Sequence, residues 1–235
     1  MTIPASPLLP VRPDLVVFDL DGTLIDSAPD IAQAVNTLLA EDGLPAHSLE
    51  AVRGMIGNGL ETLVERAYVA HGVHLDPQTL TTRQTRMSAI YAGALVDLTR
   101  LRAGAHEAVD TVCALGLSCG VVTNKPEGFS RQILDHFDLL SSLNVVIGGD
   151  SGMPKKPAPD MLLAACARVA VAPGRTILIG DSRADLGCAR AAGIRCILVR
   201  GGYTDQPADA LGADLVIDEL TDLPALLKAA QERAA

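Results

Sequence analysis

The chain has 235 residues, 49 % of them hydrophobic and only 3 % aromatic, and a net charge of −9 from 19 basic and 28 acidic side chains. Such a length buries a substantial core, the acidic balance disfavours nucleic acid and anionic membranes as partners, and the few aromatics argue against a base-stacking platform. An anionic substrate would need a cation and local basic groups to draw it in.

Residues 1–13 hold four prolines and no basic-then-apolar signal pattern, which reads as a flexible arm rather than a targeting peptide. No apolar stretch is long and continuous enough to span a membrane. The first structured element is Leu15-Val16-Val17-Phe18, a short apolar run of the kind buried on both faces of a parallel sheet. Asp19-Leu20-Asp21-Gly22-Thr23 follows without a polar break. Side chains alternate along a strand, so Asp19 and Asp21 lean the same way if the extended geometry persists. Two carboxylates crowded at a buried strand end are costly unless a proton or a cation joins them. A calcium-binding loop does not fit: counted from Asp19, the glycine stands at position 4 rather than 6, and position 12 is Asp30. An ordinary surface turn would not need an apolar strand to deliver both carboxylates inward.

From 28 to 97 only helical patterns follow, at 30–42, 49–55, 60–72 and 77–95, with no strand-like run between them. They read as an all-α domain inserted after the first strand, a cap over the strand ends. Within it Arg53 and Gly57-Asn58-Gly59 form the loop best suited to reach the site. Glycines allow close backbone approach, and an arginine pairs with a substrate carboxylate. The competing reading is a plain helix–helix turn with a solvated arginine.

Beyond 98, helices (104–115, 128–139, 160–171, 184–192, 223–233) separate strands (117–123, 144–148, 176–180, 195–199, 214–217). This alternation predicts an α/β fold, a doubly wound parallel Rossmann-like sheet. The catalytic core is then 14–27 plus 98–235, with the cap at 28–97. One strand ends in Thr123-Asn124-Lys125. Lys155-Lys156-Pro157 places a cation before a helix. Another strand ends in Gly180-Asp181-Ser182-Arg183-Ala184-Asp185, with Asp185 in the first turn of the following helix. Ligands of open α/β sheets bind at such carboxyl ends. The five cysteines (113, 119, 166, 188, 196) form no Cys-x-x-Cys pair and read as small buried hydrophobes in a reducing cytoplasm. The five histidines show no ligand spacing.

In the order and placement of Asp19-Leu20-Asp21-Gly22-Thr23, Thr123-Asn124, Lys156-Pro157 and Gly180-Asp181 to Asp185, the chain resembles the haloacid dehalogenase superfamily of phosphotransferases. Met55-Ile56-Gly57-Asn58-Gly59 and Gly201-Gly202-Tyr203 are most similar to its bacterial phosphoglycolate phosphatase branch. Arg102-Ala103-Gly104 departs from the Pro-Gly pair frequent among relatives.

The resemblance implies a phosphate monoester hydrolase working through an aspartyl-phosphate on Asp19, with 2-phosphoglycolate as substrate. It implies Mg²⁺ held by Asp19, the Asp21 carbonyl and Asp181, and Asp21 as general acid–base. Phosphate is expected on Thr123, the Asn124 backbone N–H and Lys156. Ser182 and Asp185 are expected in support, Asp185 orienting Lys156 or the metal's waters. Arg53, Gly57 and Asn58 are the candidates for specificity. Asp21 sets the chain apart from relatives that attack carbon, and the absence of any lysine before Lys125 removes a Schiff-base route through the cap. Sugar-phosphate phosphatases, pyrophosphatases and β-phosphoglucomutase share this core and remain alternatives. A phospho-receiver module also combines strand-end Asp, Thr and Lys, but lacks an inserted cap. The expected partner is a small phosphorylated metabolite, with no nucleic acid and no membrane, for a monomer or small homo-oligomer.

Overall fold

The computed structural model describes residues 12–204 and 206–233. The expected arm at 1–13 lies outside them except for Arg12 and Pro13, and Arg12 Nε donates to Gln231 Oε1 at 2.5 Å. Strand β1, Leu15–Phe18, is followed by a two-residue strand β2, Ile25–Asp26. Four helices come next: α1 (Ala28–Glu41), α2 (Leu49–Arg53), α3 (Leu60–Val69) and α4 (Pro77–Ala92). A second two-residue strand, β3 (Arg100–Leu101), returns the chain to the sheet. Then α5 (Ala105–Ala114), β4 (Ser118–Val122), α6 (Glu127–His136), β5 (Val145–Ile147), α7 (Asp160–Arg168) and β6 (Thr176–Gly180) alternate. The chain ends with α8 (Arg183–Ala192), β7 (Arg195–Val199), the short α9 (Ala208–Leu211), β8 (Leu215–Ile217) and α10 (Leu223–Glu232).

Six strands form one parallel sheet in the order β5-β4-β1-β6-β7-β8. Its two faces follow from the period-2 alternation of β1. Val16 and Phe18 pack with Val109, Val112, Leu134 and Leu227, whereas Leu15 and Val17 pack with Met161, Leu162, Leu186 and Ala189. All four β1 side chains are fully buried, each contributing about 2 kcal/mol by removal from water. Because β4 and β6 flank β1 on opposite sides, the strand order reverses there. The crevice at a reversal is where α/β sheets bind ligands.

No helix among the described residues is long and apolar enough to cross a membrane. Helices α1 to α4 pack on one another between β2 and β3, and those strands pair antiparallel, Ile25 with Leu101 and Asp26 with Arg100. This neck was invisible in the sequence, since two residues cannot show a period. It is pinned by Asp30 in the first turn of α1, which is buried and accepts hydrogen bonds from Leu98 N (2.9 Å), Thr99 N (2.7 Å) and Thr99 Oγ1 (2.7 Å). Asp30→Ala strands the two Thr99 donors away from water, and a loss of about 2–4 kcal/mol is expected. Urea denaturation measures it; an unchanged midpoint would show the clasp to be dispensable.

Candidate active site at the β1 switch point

The main-chain N–H of Asp19 donates to Ile179 O at 2.8 Å, so the β1–β6 ladder carries this residue to the sheet edge. Gly22, with φ of +84°, turns the chain away, and a Cβ there would lie 2.4 Å from Asp181 Oδ2. A Cβ on Gly202 would lie 2.2 Å from Asp181 Cβ. Glycine at both positions lets two loops close around the Asp181 carboxylate.

Three buried carboxylates meet here: Asp19, Asp181 and Asp185 each offer an oxygen within 4.8 Å of the others. Lys156 is buried with them. Its Nζ donates to Val122 O at 2.9 Å and to Asp185 Oδ1 at 2.7 Å, and lies 2.8 Å from Asp19 Oδ1. Burial alone would discharge this lysine, but the carboxylates of Asp185 and Asp19 outweigh it and hold its pKa above the usual range. Despite that ion pair, Asp19 Oδ1 has no aligned hydrogen-bond donor. Burial pushes the Asp19 carboxyl up to about 6 against the pull of Lys156, and Asp185 adds to the rise. Asp181 is raised as well, first by burial and then by the charges of Asp185 and Asp19.

Three carboxylates facing one lysine leave an excess of negative charge in a dry site, and the donors are all oxygen. That set fits a hard divalent cation. The hydrogen bonding indicates which residues could hold it. Asp185 is spent: Oδ1 takes Lys156, and Oδ2 takes Ser182 Oγ (2.6 Å), Ser182 N (3.1 Å) and Asp181 N (3.3 Å). Asp181 is oriented by Thr23 Oγ1 (3.0 Å) and Tyr203 N (2.5 Å). Asp19, whose Oδ1 meets only Lys156 among the described side chains, and Asp181 therefore remain for a cation, while Asp185 anchors Lys156 and caps α8.

Asp21 stands apart from that cluster. It accepts from Ser27 Oγ at 2.5 Å and from Lys125 Nζ at 3.0 and 3.2 Å. Lys125 Nζ also donates to the Tyr91 hydroxyl at 2.7 Å. Burial works against the Lys125 charge, but Asp21 and Tyr91 hold its pKa above the usual range. A pocket opens over Asp19 and Asp21, with Thr123, Asn124 and Lys125 on the sheet side and Gly57, Ile56, Leu60, Met87 and Tyr91 on the helical side.

The expected residues are not all gathered in it. Thr123 is, its Oγ1 accepting from Lys125 N at 3.3 Å. The Asn124 side chain is consumed: Nδ2 donates to Gly57 O (2.8 Å) and Lys156 O (2.9 Å), and Oδ1 accepts from Lys156 N (2.9 Å). It fastens the helical insert to the sheet and positions the Lys156 main chain. Gly57 lines the pocket, but Asn58 lines a neighbouring cleft with Arg66 and Ser182. Arg53 lines neither. Its guanidinium pairs with Asp26 Oδ2 at 2.9 Å, half-exposed on the neck, because β2 brings that carboxylate beneath α2.

Lys125, Tyr91, Thr23 and Ser27 join the site without an expected role. Lys125 and Thr23 adjoin predicted site residues, which was the available signal; Tyr91 and Ser27 had none. Tyr203 does more than pack: besides holding Asp181, its hydroxyl donates to Asp26 Oδ1 at 2.5 Å and accepts from Ala28 N at 2.9 Å. It thus links the acidic cluster to the neck. Four cysteines are buried, Cys113 is exposed, and all five are free.

Residues 16–199 match the family model of haloacid dehalogenase-like hydrolases. The chain is 39 % identical to a Pseudomonas putida phosphoglycolate phosphatase over 215 residues, covering 90 % of this chain and 78 % of that one. It is 41 % identical to a Cereibacter sphaeroides phosphoglycolate phosphatase, covering 91 % of this chain and 97 % of that one. A Haemophilus somnus crystal structure, described as that of a predicted phosphoglycolate phosphatase, superposes with a TM-score of 0.87 at 28 % identity, covering 92 % of this chain and 99 % of that one.

Proposed function

The chain belongs to the haloacid dehalogenase-like hydrolase family, and from that premise we propose that it hydrolyses phosphate monoesters, 2-phosphoglycolate foremost, at the β1 switch point. The observation that carries this reading is the buried Asp19 carboxylate oxygen. It lies 2.8 Å from the Lys156 ammonium and borders a pocket whose far wall belongs to the inserted helices. Relatives about 40 % identical that bear the name phosphoglycolate phosphatase support the substrate.

In this mechanism Asp19 attacks phosphorus, forming an aspartyl-phosphate as the alkoxide leaves. Asp21 protonates that leaving group and then takes a proton from the water that cleaves the acyl-phosphate. Ser27 and Lys125 fix the Asp21 carboxyl for both transfers. The Thr123 hydroxyl, the Asn124 main-chain N–H and Lys156 hold the phosphoryl oxygens, and Lys156 is itself immobilised by Val122 O and Asp185. Asp19, Asp181 and the Asp21 carbonyl would hold Mg²⁺, which would supply the charge neutralisation that lets one anion approach another. Residues 28–97 act as the cap that excludes water and meets the rest of the substrate. We place the protein in the cytoplasm, where its free cysteines remain reduced.

Phosphate release from 2-phosphoglycolate, hexose phosphates and pyrophosphate, with Mg²⁺ and with excess chelator, tests the reading. Expected is a clear preference for 2-phosphoglycolate and loss of at least about two orders of magnitude in rate on chelation. Full activity in chelator would sink the mechanism, and faster turnover of another ester would sink the substrate.

A further inference from the structure

We infer that Lys125 and Tyr91 together read the substrate's carboxylate, a specificity role that rests on the phosphatase reading above. In 2-phosphoglycolate one methylene separates the ester oxygen from the carboxylate, so the group that reads it must stand beside the phosphate. Arg53 is bound to Asp26 and is not among the residues lining the pocket. Lys125 is the one cation among the described residues lining the pocket. It lies two residues past Thr123 at the same strand end.

Its partner comes from the other side of the joint. Tyr91 sits near the end of α4 and is buried. Its hydroxyl accepts the Lys125 N–H and makes no other hydrogen bond among the described residues. The phenolic proton is therefore left for an acceptor in the pocket, and burial keeps it in place by raising the phenol's pKa. An ammonium and a hydroxyl donor side by side match the two oxygens of a carboxylate. Around them Ile31, Ile56, Leu60, Leu63, Met87 and Phe129 make the remaining wall apolar. A carboxylate entering such surroundings meets Lys125 on the pocket lining, and the low local dielectric strengthens the bonds it makes. An uncharged alkyl group gains nothing from the pair. Because Tyr91 belongs to the helical insert and Lys125 to the sheet, the bound carboxylate also holds the two together.

The test is calorimetric binding, with Mg²⁺ present, of two non-hydrolysable ligands: 3-phosphonopropionate, which carries the carboxylate, and propylphosphonate, which does not. The wild-type protein is expected to prefer the first by at least about tenfold. Tyr91→Phe keeps the ring and its edge-on contact with Phe129, so the fold is retained. It should lose roughly three- to tenfold of that preference, with propylphosphonate binding unchanged. Lys125→Gln should erase the preference; should that variant not fold, Tyr91→Phe decides alone. A preference undiminished in Tyr91→Phe, or no preference in the wild type, overturns the inference. A wild type that releases no phosphate from 2-phosphoglycolate, yet keeps a Tyr91-dependent carboxylate preference, overturns the substrate reading and upholds this one.

Discussion

Asp19→Asn is expected to lower kcat by roughly three orders of magnitude or more while the chain still folds. The amide preserves the shape of the side chain but offers no anionic nucleophile, so the covalent route closes. Stability should not suffer. Asp19 is held in its charged form at a cost, since burial and Asp185 both favour the neutral carboxyl. Removing that charge relieves the crowding with Asp181 and Asp185. Lys156 keeps Asp185 and Val122 O, two of its three contacts. Thermal unfolding midpoint and single-turnover phosphate release are the paired measurements. A folded Asp19→Asn protein with substantial Mg²⁺-dependent turnover would falsify the nucleophile assignment.

Lys156→Met should damage both fold and rate. The lysine side chain is almost wholly buried between two carboxylates. Breaking a buried pair by removing one partner leaves uncompensated charge and costs about 3–5 kcal/mol. Methionine fills most of the volume, so the loss reports charge rather than a cavity. Turnover should fall by about a hundredfold or more in whatever fraction folds, because a preorganised cation beside the transferred group is lost. The double variant Asp19→Asn/Lys156→Met separates the two effects. With one of the stranded carboxylates neutralised, the stability cost of losing Lys156 should shrink, a coupling that a double-mutant cycle reads directly. If the two costs simply add, Lys156 does not act through Asp19, and its role reduces to holding Asp185.

The neck and the acidic cluster are mechanically joined. Tyr203 bonds Asp181 through its main chain and Asp26 through its hydroxyl, and Asp26 in turn holds Arg53 of the helical insert. Arg53 therefore bears on how the insert sits over the site.

The chain by itself determined the α/β class, the parallel sheet and the chemistry at its strand ends, because these depend on local pattern. Leu15–Phe18, Thr176–Gly180 and Arg195–Val199 have the bounds read from the sequence, and the other three strands of the main sheet differ by one residue at one or both ends. An apolar run followed by Asp-x-Asp-Gly-Thr announces a buried strand delivering carboxylates to an edge, whatever surrounds it. Helix ends were less legible: the expected helix at 77–95 stops at Ala92, and that at 160–171 stops at Arg168. Final turns fray according to what packs on them. The neck strands β2 and β3 could not be read at all, since two residues carry no period and their pairing spans the whole insert. Likewise, only the tertiary structure decided which polar groups meet. Lys125 reaches Asp21 across 104 positions, Tyr203 reaches Asp26 across 177, and Thr23 reaches Asp181 across 158. Buried polar groups must find partners, but which partner is set by how the insert docks on the sheet, and no local pattern encodes that.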